Sequence, residues 1–195
     1  MSQRRIGLTG GIATGKTTVS NYLLNTHQLP VLDADIYARN AVQQGSPVLQ
    51  QIVQRYDNIQ LADGTLNRLR LGEIIFSNQN ERQWLEQQIH PYVRSRFQSE
   101  LKILAATPTV ILVIPLLFEA GMTDLVTEIW VVSCSPEQQL KRMQERDHLS
   151  QEQAIARIKS QLPLTEKVKK AGIILDNSAS NPENLHQQID LALLS

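Results

Sequence analysis

Gly10, Gly15, Lys16 and Thr17 stand at the spacing G-x-x-x-x-G-K-[ST], the pattern of a loop that wraps a phosphate. Glycines let successive backbone N–H groups turn inward around an anion. Lys16 can reach the β- and γ-phosphates as a mobile point charge, and the Thr17 hydroxyl is a ligand for Mg²⁺. The residues that would face the phosphates run from Gly11, Ile12, Ala13 and Thr14 through Gly15 and Lys16 to Thr17 and Thr18. The first turn of a following helix adds free N–H donors and a positive dipole end. The chemistry this arrangement supports is binding of a nucleoside triphosphate. A glycine-rich turn without a ligand is the plainer reading. Against it, Ile6-Gly7-Leu8 before the loop reads as a strand, and Val19, Tyr22 and Leu23 after it fall at helical spacing.

Transfer of a phosphoryl group to an alcohol needs an acceptor for the hydroxyl proton, and Asp33 is the carboxylate chosen here as general base, with Asp35 its competitor. Either acid could instead cap the helix that begins near Ile36. Arg142 and Arg146 are four apart on a helix, so both guanidiniums project from one face and suit the spread charge of a migrating phosphoryl group as a lid closes. A solvated face paired with Glu145 or Asp147 fits the spacing equally well. Arg68, His90 and Glu119 are further candidates, each with an ordinary alternative: a solvent-facing arginine, a histidine capping or bonding locally before Pro91, and an exposed turn. Neither D-x-x-G nor N-K-x-D of a guanine-nucleotide switch occurs, and the central strand lacks a terminal aspartate. These absences favour a small-molecule kinase over a nucleotide-dependent regulatory binding protein, and leave open a kinase for one or another nucleotide or nucleoside.

These residues must be positioned by an open sheet. Leu29 to Leu32 makes a short apolar run ending at Asp33-Ala34-Asp35, which places the acids at a strand's carboxyl end, where ligands of α/β sheets sit. Thr109 to Leu117 and Ile129 to Val132 are continuous apolar runs, as expected of parallel strands covered on both faces. Gly172 to Leu175 supplies a fifth strand. Ser46-Pro47, Ser135-Pro136, Ser150 with Gln153, and Asn181-Pro182 all read as helix starts, with Gln138 and Gln153 able to close capping boxes. Val48, Ile52, Val53 and Tyr56 mark the inner face of the helix after Ser46. About 75 residues separate the second strand from the third, far more than one crossover helix needs. They include the turn Asp63-Gly64 and a helical region from Glu81 to about Ala106 interrupted at Pro91. The expected fold is α/β: a five-stranded parallel sheet flanked by helices, the phosphate-loop nucleoside triphosphate fold. A single domain is expected, with a core of about 1–60, 107–135 and 171–195, a helical insertion of about 60–106 and a lid of about 136–170.

Composition narrows the partners. Nineteen basic residues balance nineteen acidic ones, so no global field recruits nucleic acid or an anionic membrane, and no obligate protein partner is evident. Cys134 is the only cysteine, which excludes an internal disulfide and agrees with a reducing compartment. The N-terminus runs straight into the first strand without an apolar signal core. The longest apolar run, Val110 to Phe118, is about half the ~20 residues of a membrane span. A cytoplasmic location is expected.

Taken together, these residues resemble the dephospho-coenzyme A kinases, which catalyse the last step of coenzyme A biosynthesis. The resemblance rests on GLTGGIATGKTT, DADIYAR (Asp33 to Arg39), DGTLNR (Asp63 to Arg68), His90-Pro91, IPLLFE (Ile114 to Glu119), RMQERD (Arg142 to Asp147), Gln161 and LDN (Leu175 to Asn177). It implies ATP as donor, Mg²⁺ at Thr17 and dephospho-coenzyme A as the small-molecule acceptor, phosphorylated on its ribose 3′-hydroxyl. It implies catalytic roles for Asp33, Lys16, Arg142 and Arg146, with Asp35, Arg39, Arg68, His90, Glu119 and Asn177 as further substrate contacts. The insertion would receive dephospho-coenzyme A and the lid would cover ATP. Ala13 and Thr14 stand where the family often has glycine and serine, Asn67 where it often has aspartate, and Gly172 where it usually has aspartate.

Overall fold

The computed structural model describes residues 3–179 and 181–195. Strands β1 (Arg4–Gly10), β2 (Val31–Asp33), β3 (Thr109–Val113), β4 (Glu128–Ser133) and β5 (Ile173–Asp176) form one sheet in the order β2-β3-β1-β4-β5, with every pairing parallel. Parallel order directs all five carboxyl ends to one edge. The register sets Asp33, Val113 and Leu8 in one row across three strands, and Gly10, Val132 and Leu175 in another. Asp33 therefore lies two strand spacings from β1, roughly 10 Å.

Two compact units make up the chain: residues 1–33 with 101–195, and residues 34–100. In the first, Ile6, Leu8, Ile111, Val113, Trp130, Val132 and Leu175 alternate onto one sheet face. That face is covered by Val19 and Leu23 of α1 (Lys16–Asn25) and by Leu185, Ile189 and Ala192 of the closing helix (Pro182–Leu194). Strand β3 ends at Val113 rather than running to Leu117. Ile114 N–H still donates to Leu8 O at 3.0 Å, but Pro115 has no donor to continue the ladder.

The second unit contains α2 (Ala34–Ala41), α3 (Pro47–Arg55), α4 (Arg68–Ser77) and most of α5 (Gln79–Ile103). It begins at Ala34, earlier than residue 60, because Val42 and the α3 residues Val48, Leu49 and Ile52 bury with Ile59, Leu66, Leu71 and Leu85 in one cluster. Leu49 takes the inner position expected of Val53, which is exposed. The side chain of Ser46 caps α3 by accepting from Leu49 N, with Pro47 in the first turn. Helix α5 continues through Pro91 without interruption. The proline forfeits one bond to a carbonyl four residues back, while the turns on either side keep theirs. Arg55 donates to both carboxylate oxygens of Glu81 at 2.7 and 2.9 Å and lies 4.5 Å over the Trp84 ring, tying α3 to α5.

After β4 come α6 (Pro136–Asp147), α7 (Gln151–Lys159) and the short α8 (Leu164–Lys169). Ser135 and Ser150 cap α6 and α7. Gln153 completes the capping box at Ser150, whereas Gln138 reaches across to Ser178 O at 3.4 Å instead of folding back on Ser135. No helix among the described residues is long and apolar enough to cross a membrane.

Candidate active site

The loop between β1 and α1 turns because its glycines occupy backbone that other residues rarely adopt. Gly10 has φ 152°, and a Cβ on it would lie 2.3 Å from Val132 O. Gly15 has φ 102°, and its Cβ would lie 2.1 Å from Asn177 Nδ2. Between them Ala13 takes φ 58°, the left-handed region in a residue that carries a Cβ. A glycine would take this backbone without strain. Alanine meets the same backbone requirement at a cost of about 1 kcal/mol.

The interior of the loop is held by its own groups. Buried Thr14 donates from Oγ1 to Gly11 O at 3.0 Å, and Lys16 Nζ donates to Gly11 O at 2.7 Å. The lysine thus folds over the loop that would hold the phosphates. Helix α1 starts at Lys16 without a side-chain cap and with no acid in its first turn, which leaves its dipole and N–H donors for an anion. Thr17 and Thr18 are exposed on that first turn. A triphosphate with its Mg²⁺ fits this donor set: backbone N–H groups, one ammonium and two accessible hydroxyls.

Asn177, beyond β5, fastens to the loop through Nδ2, which donates to Thr14 O at 2.8 Å, and its own N–H donates to Ser133 O at 2.8 Å. Its carbonyl accepts from Arg142 at 2.9 Å. The other terminal nitrogen of Arg142 is buried without a hydrogen bond to the described residues, and the guanidinium neighbours the Cys134 thiol. Arg146 does not share this position. Its side chain is 56% exposed and pairs with Asp147 at 2.8 and 2.9 Å, a contact that lowers the Asp147 carboxyl pKa. Gly172 passes its N–H to Ile129 O at 2.9 Å, and a Cβ there would meet only that carbonyl at 3.6 Å, so Asn177 keeps its contacts without the family's usual aspartate.

Asp33 is half-buried at the carboxyl end of β2, on the edge of the sheet that carries the phosphate loop. Glu119 does lie in an exposed turn, but its carboxylate is engaged. One carboxylate oxygen accepts from Leu162 N–H at 3.0 Å and from Lys167 Nζ at 2.9 Å, and the ammonium, fully buried, also donates to Pro115 O at 2.9 Å. Burial pushes the Cys134 thiol pKa up, so this cysteine remains a thiol.

In the helical unit, Asp35, Arg39 and Arg68 line a cavity of about 420 Å³ whose walls include Val42, Leu66, Leu71, Ile75, Leu85 and Ile89. Asp35 falls in the first turn of α2, as a carboxylate at a helix start should. His90 lies inside α5 rather than at a helix start, and its burial lowers the imidazole pKa, with nearby Glu86 opposing. It is not among the residues lining the cavity.

Sequence reasoning missed Gln139 and Lys167. Gln139 is 6% exposed and donates from Nε2 to Ile12 O at 2.8 Å. Both lie in strongly polar helices, PEQQLKRMQERD and LTEKVK, where no pattern separates a buried glutamine or lysine from its solvated neighbours.

The dephospho-CoA kinase family matches residues 4–183. A dephospho-CoA kinase of Trichormus variabilis is 62% identical over 99% of this chain and 98% of its own, and that of a Nostoc species is 60% identical over the same shares. Among solved structures, a Thermus thermophilus protein superposes with TM-score 0.83 at 33% identity, covering 100% of this chain and 97% of that one. The dephospho-CoA kinase from Campylobacter jejuni gives 0.72 at 30% identity, covering 97% and 95%. Shikimate kinase from Acinetobacter baumannii, 16% identical with TM-score 0.57 over 98% and 93%, shares the fold. With this agreement along nearly the whole sequence, the chain belongs to the dephospho-CoA kinase family.

Proposed function

We propose that the protein transfers the γ-phosphoryl group of ATP to the 3′-hydroxyl of the adenosine ribose of dephospho-coenzyme A, releasing coenzyme A and ADP. The observation that carries this reading is the loop Gly10 to Thr17, closed by Asn177, with one nitrogen of Arg142 buried beside it. The residues divide as follows. Backbone N–H groups of the loop and the Lys16 ammonium bind the β- and γ-phosphates. Thr17 would hold Mg²⁺, which when bound neutralises phosphate charge. Asp33 accepts the proton of the attacking hydroxyl, and Arg142 stabilises the equatorial oxygens in the transition state. Arg146 could join only by exchanging Asp147 for phosphate.

The helical unit is proposed as the receiver of dephospho-coenzyme A, with Asp35, Arg39 and Arg68 beside apolar walls that suit a long, amphipathic arm. Residues 136–170 are proposed as the lid. Glu119 and Asn177 act in this scheme as braces of the site, and His90 as a half-buried residue of the receiving unit. The balanced charge, single cysteine and small-molecule substrates fit a cytoplasmic enzyme. Mass spectrometry after incubation with Mg-ATP and dephospho-coenzyme A should show the gain of one phosphoryl group on the 3′-oxygen. ADP release with other nucleotides or nucleosides in preference would redirect the assignment, and ATP binding without transfer to any acceptor would sink it.

A further inference from the structure

We infer that Gln139 and Gln161 are paired positioning residues that couple the segment from α6 to α7 to the phosphate loop through the two backbone groups of Ile12. Gln139 Nε2 donates to Ile12 O at 2.8 Å, and Ile12 N–H donates to Gln161 Oε1 at 3.1 Å. One residue of the loop is thus gripped by two side chains, with opposite hydrogen-bond roles. Gln139 lies in the first turn of α6, and Gln161 follows the end of α7 by two residues. Entry and exit of the segment therefore close on the same point.

Three observations separate this grip from ordinary packing. First, the exit is braced next to Gln161: Leu162 N–H is held by Glu119, Glu119 by Lys167, and Lys167 by Pro115 O, which also accepts from Thr9 Oγ1 at 3.2 Å. Gln161 is thereby fixed against β1 and β3. Second, a Cβ on Gly11 would lie 2.6 Å from Gln139 Nε2, so the amide occupies space that only glycine leaves. Third, the gripped residue immediately precedes Ala13, whose left-handed backbone persists only where its surroundings over-determine it. Arg142 is three residues beyond Gln139 on the same helix face, so a shift at the grip moves the arginine and the loop together. A long glutamine side chain sacrifices rotamer freedom to stay in such a place.

This rests on the reading of the loop as the ATP site. The test is steady-state kinetics toward each substrate, with thermal melts, for Gln139→Ala, Gln161→Ala, Gln139→Glu and Gln161→Glu. Loss of one neutral hydrogen bond should raise KM for ATP roughly 3- to 10-fold in each alanine variant. KM for dephospho-coenzyme A should stay within about 2-fold, the same bond loss having no direct path to that substrate. The two glutamates carry equal charge, yet Gln161→Glu keeps an acceptor for Ile12 N–H while Gln139→Glu faces a carbonyl with a carboxylate. Gln139→Glu should therefore be the more damaged. Equal damage, or a fall in kcat with both KM values unchanged and a lowered melting temperature, would show a merely structural role and overturn the grip. A wild-type enzyme that neither binds ATP nor turns over would overturn the functional reading and this inference together, whereas an active wild type with unaffected variants overturns the grip alone.

Discussion

The two units hold their polar side chains in opposite ways. At the carboxyl edge of the sheet, Asn177, Arg142, Gln139, Gln161, Glu119 and Lys167 reach residues distant in sequence, and many of their partners are backbone groups of the loops they steady. In the helical unit Arg55 and Glu81 join helix to helix, while Asp35, Arg39 and Arg68 sit around a cavity with largely apolar walls. A rim cross-tied to backbone fixes atoms to the fraction of an ångström that phosphoryl transfer requires. An apolar cavity with a few charges accommodates a flexible ligand and asks less of each contact. The first arrangement suits chemistry, the second recognition.

The sharpest test sets the units against each other through kinetics. Arg142→Ala should cost roughly 10³-fold in kcat, since a preorganised guanidinium on a migrating phosphoryl group is worth this much or more. Arg146→Ala should cost about 10-fold or less, because its guanidinium is exposed and already paired with Asp147. Asp33→Asn should lower kcat roughly 10²- to 10⁴-fold, and Lys16→Ala roughly 10²-fold or more. Arg39→Ala and Arg68→Ala should leave kcat near wild type and raise KM for dephospho-coenzyme A by about 10-fold, the loss expected for a charge-assisted contact. Should Arg146→Ala match Arg142→Ala, or Arg39→Ala act on kcat, the division drawn between the regions breaks.

Stability probes the rim from another side. Glu119→Ala leaves the fully buried ammonium of Lys167 with only Pro115 O, and should destabilise by about 3 kcal/mol in urea unfolding. Lys167→Met is gentler, about 1–2 kcal/mol, because a partly exposed Glu119 regains water and keeps Leu162 N–H. Equal losses would mean that the pair is held by packing and not by charge.

What the sequence discloses follows the same division. Covered parallel strands must be continuous apolar runs, so Val110 to Val113 and Ile129 to Val132 announce themselves, as do the loop glycines that the backbone demands. Pro91 misleads because a long helix whose flanking turns are intact tolerates one missing donor. The helical unit's start at Ala34 is invisible because α2 and α3 have the length and amphipathicity of ordinary crossover helices, and only the contact of Tyr37 with Phe97 and the packing of α3 with Leu66, Leu71 and Leu85 assign them elsewhere. Gln139 and Lys167 leave no mark at all. Their burial depends on which backbone carbonyl arrives beside them, and that is a property of the assembled edge.

The smallest expected effect lies in the helical unit and is a slope against pH. Burial lowers the pKa of His90 from its ordinary 6.5, with Glu86 opposing. The folded protein therefore holds the imidazole neutral at a pH where the unfolded chain already binds a proton. Its contribution is fully present above pH 6.5 and is lost as pH falls below that value through the folded pKa. Urea midpoints taken from pH 7.5 down to about 5 should fall for the wild type and fall less steeply for His90→Gln, which has nothing to titrate. The Glu81 carboxyl, drawn down to about 2 chiefly by its bonds from Arg55, loses its contribution only as pH drops below the ordinary 4.5, so the two groups act in separate windows. Parallel slopes in the two proteins would show that His90 protonates as readily folded as unfolded, and that the middle of α5 is open to water where the structure closes it.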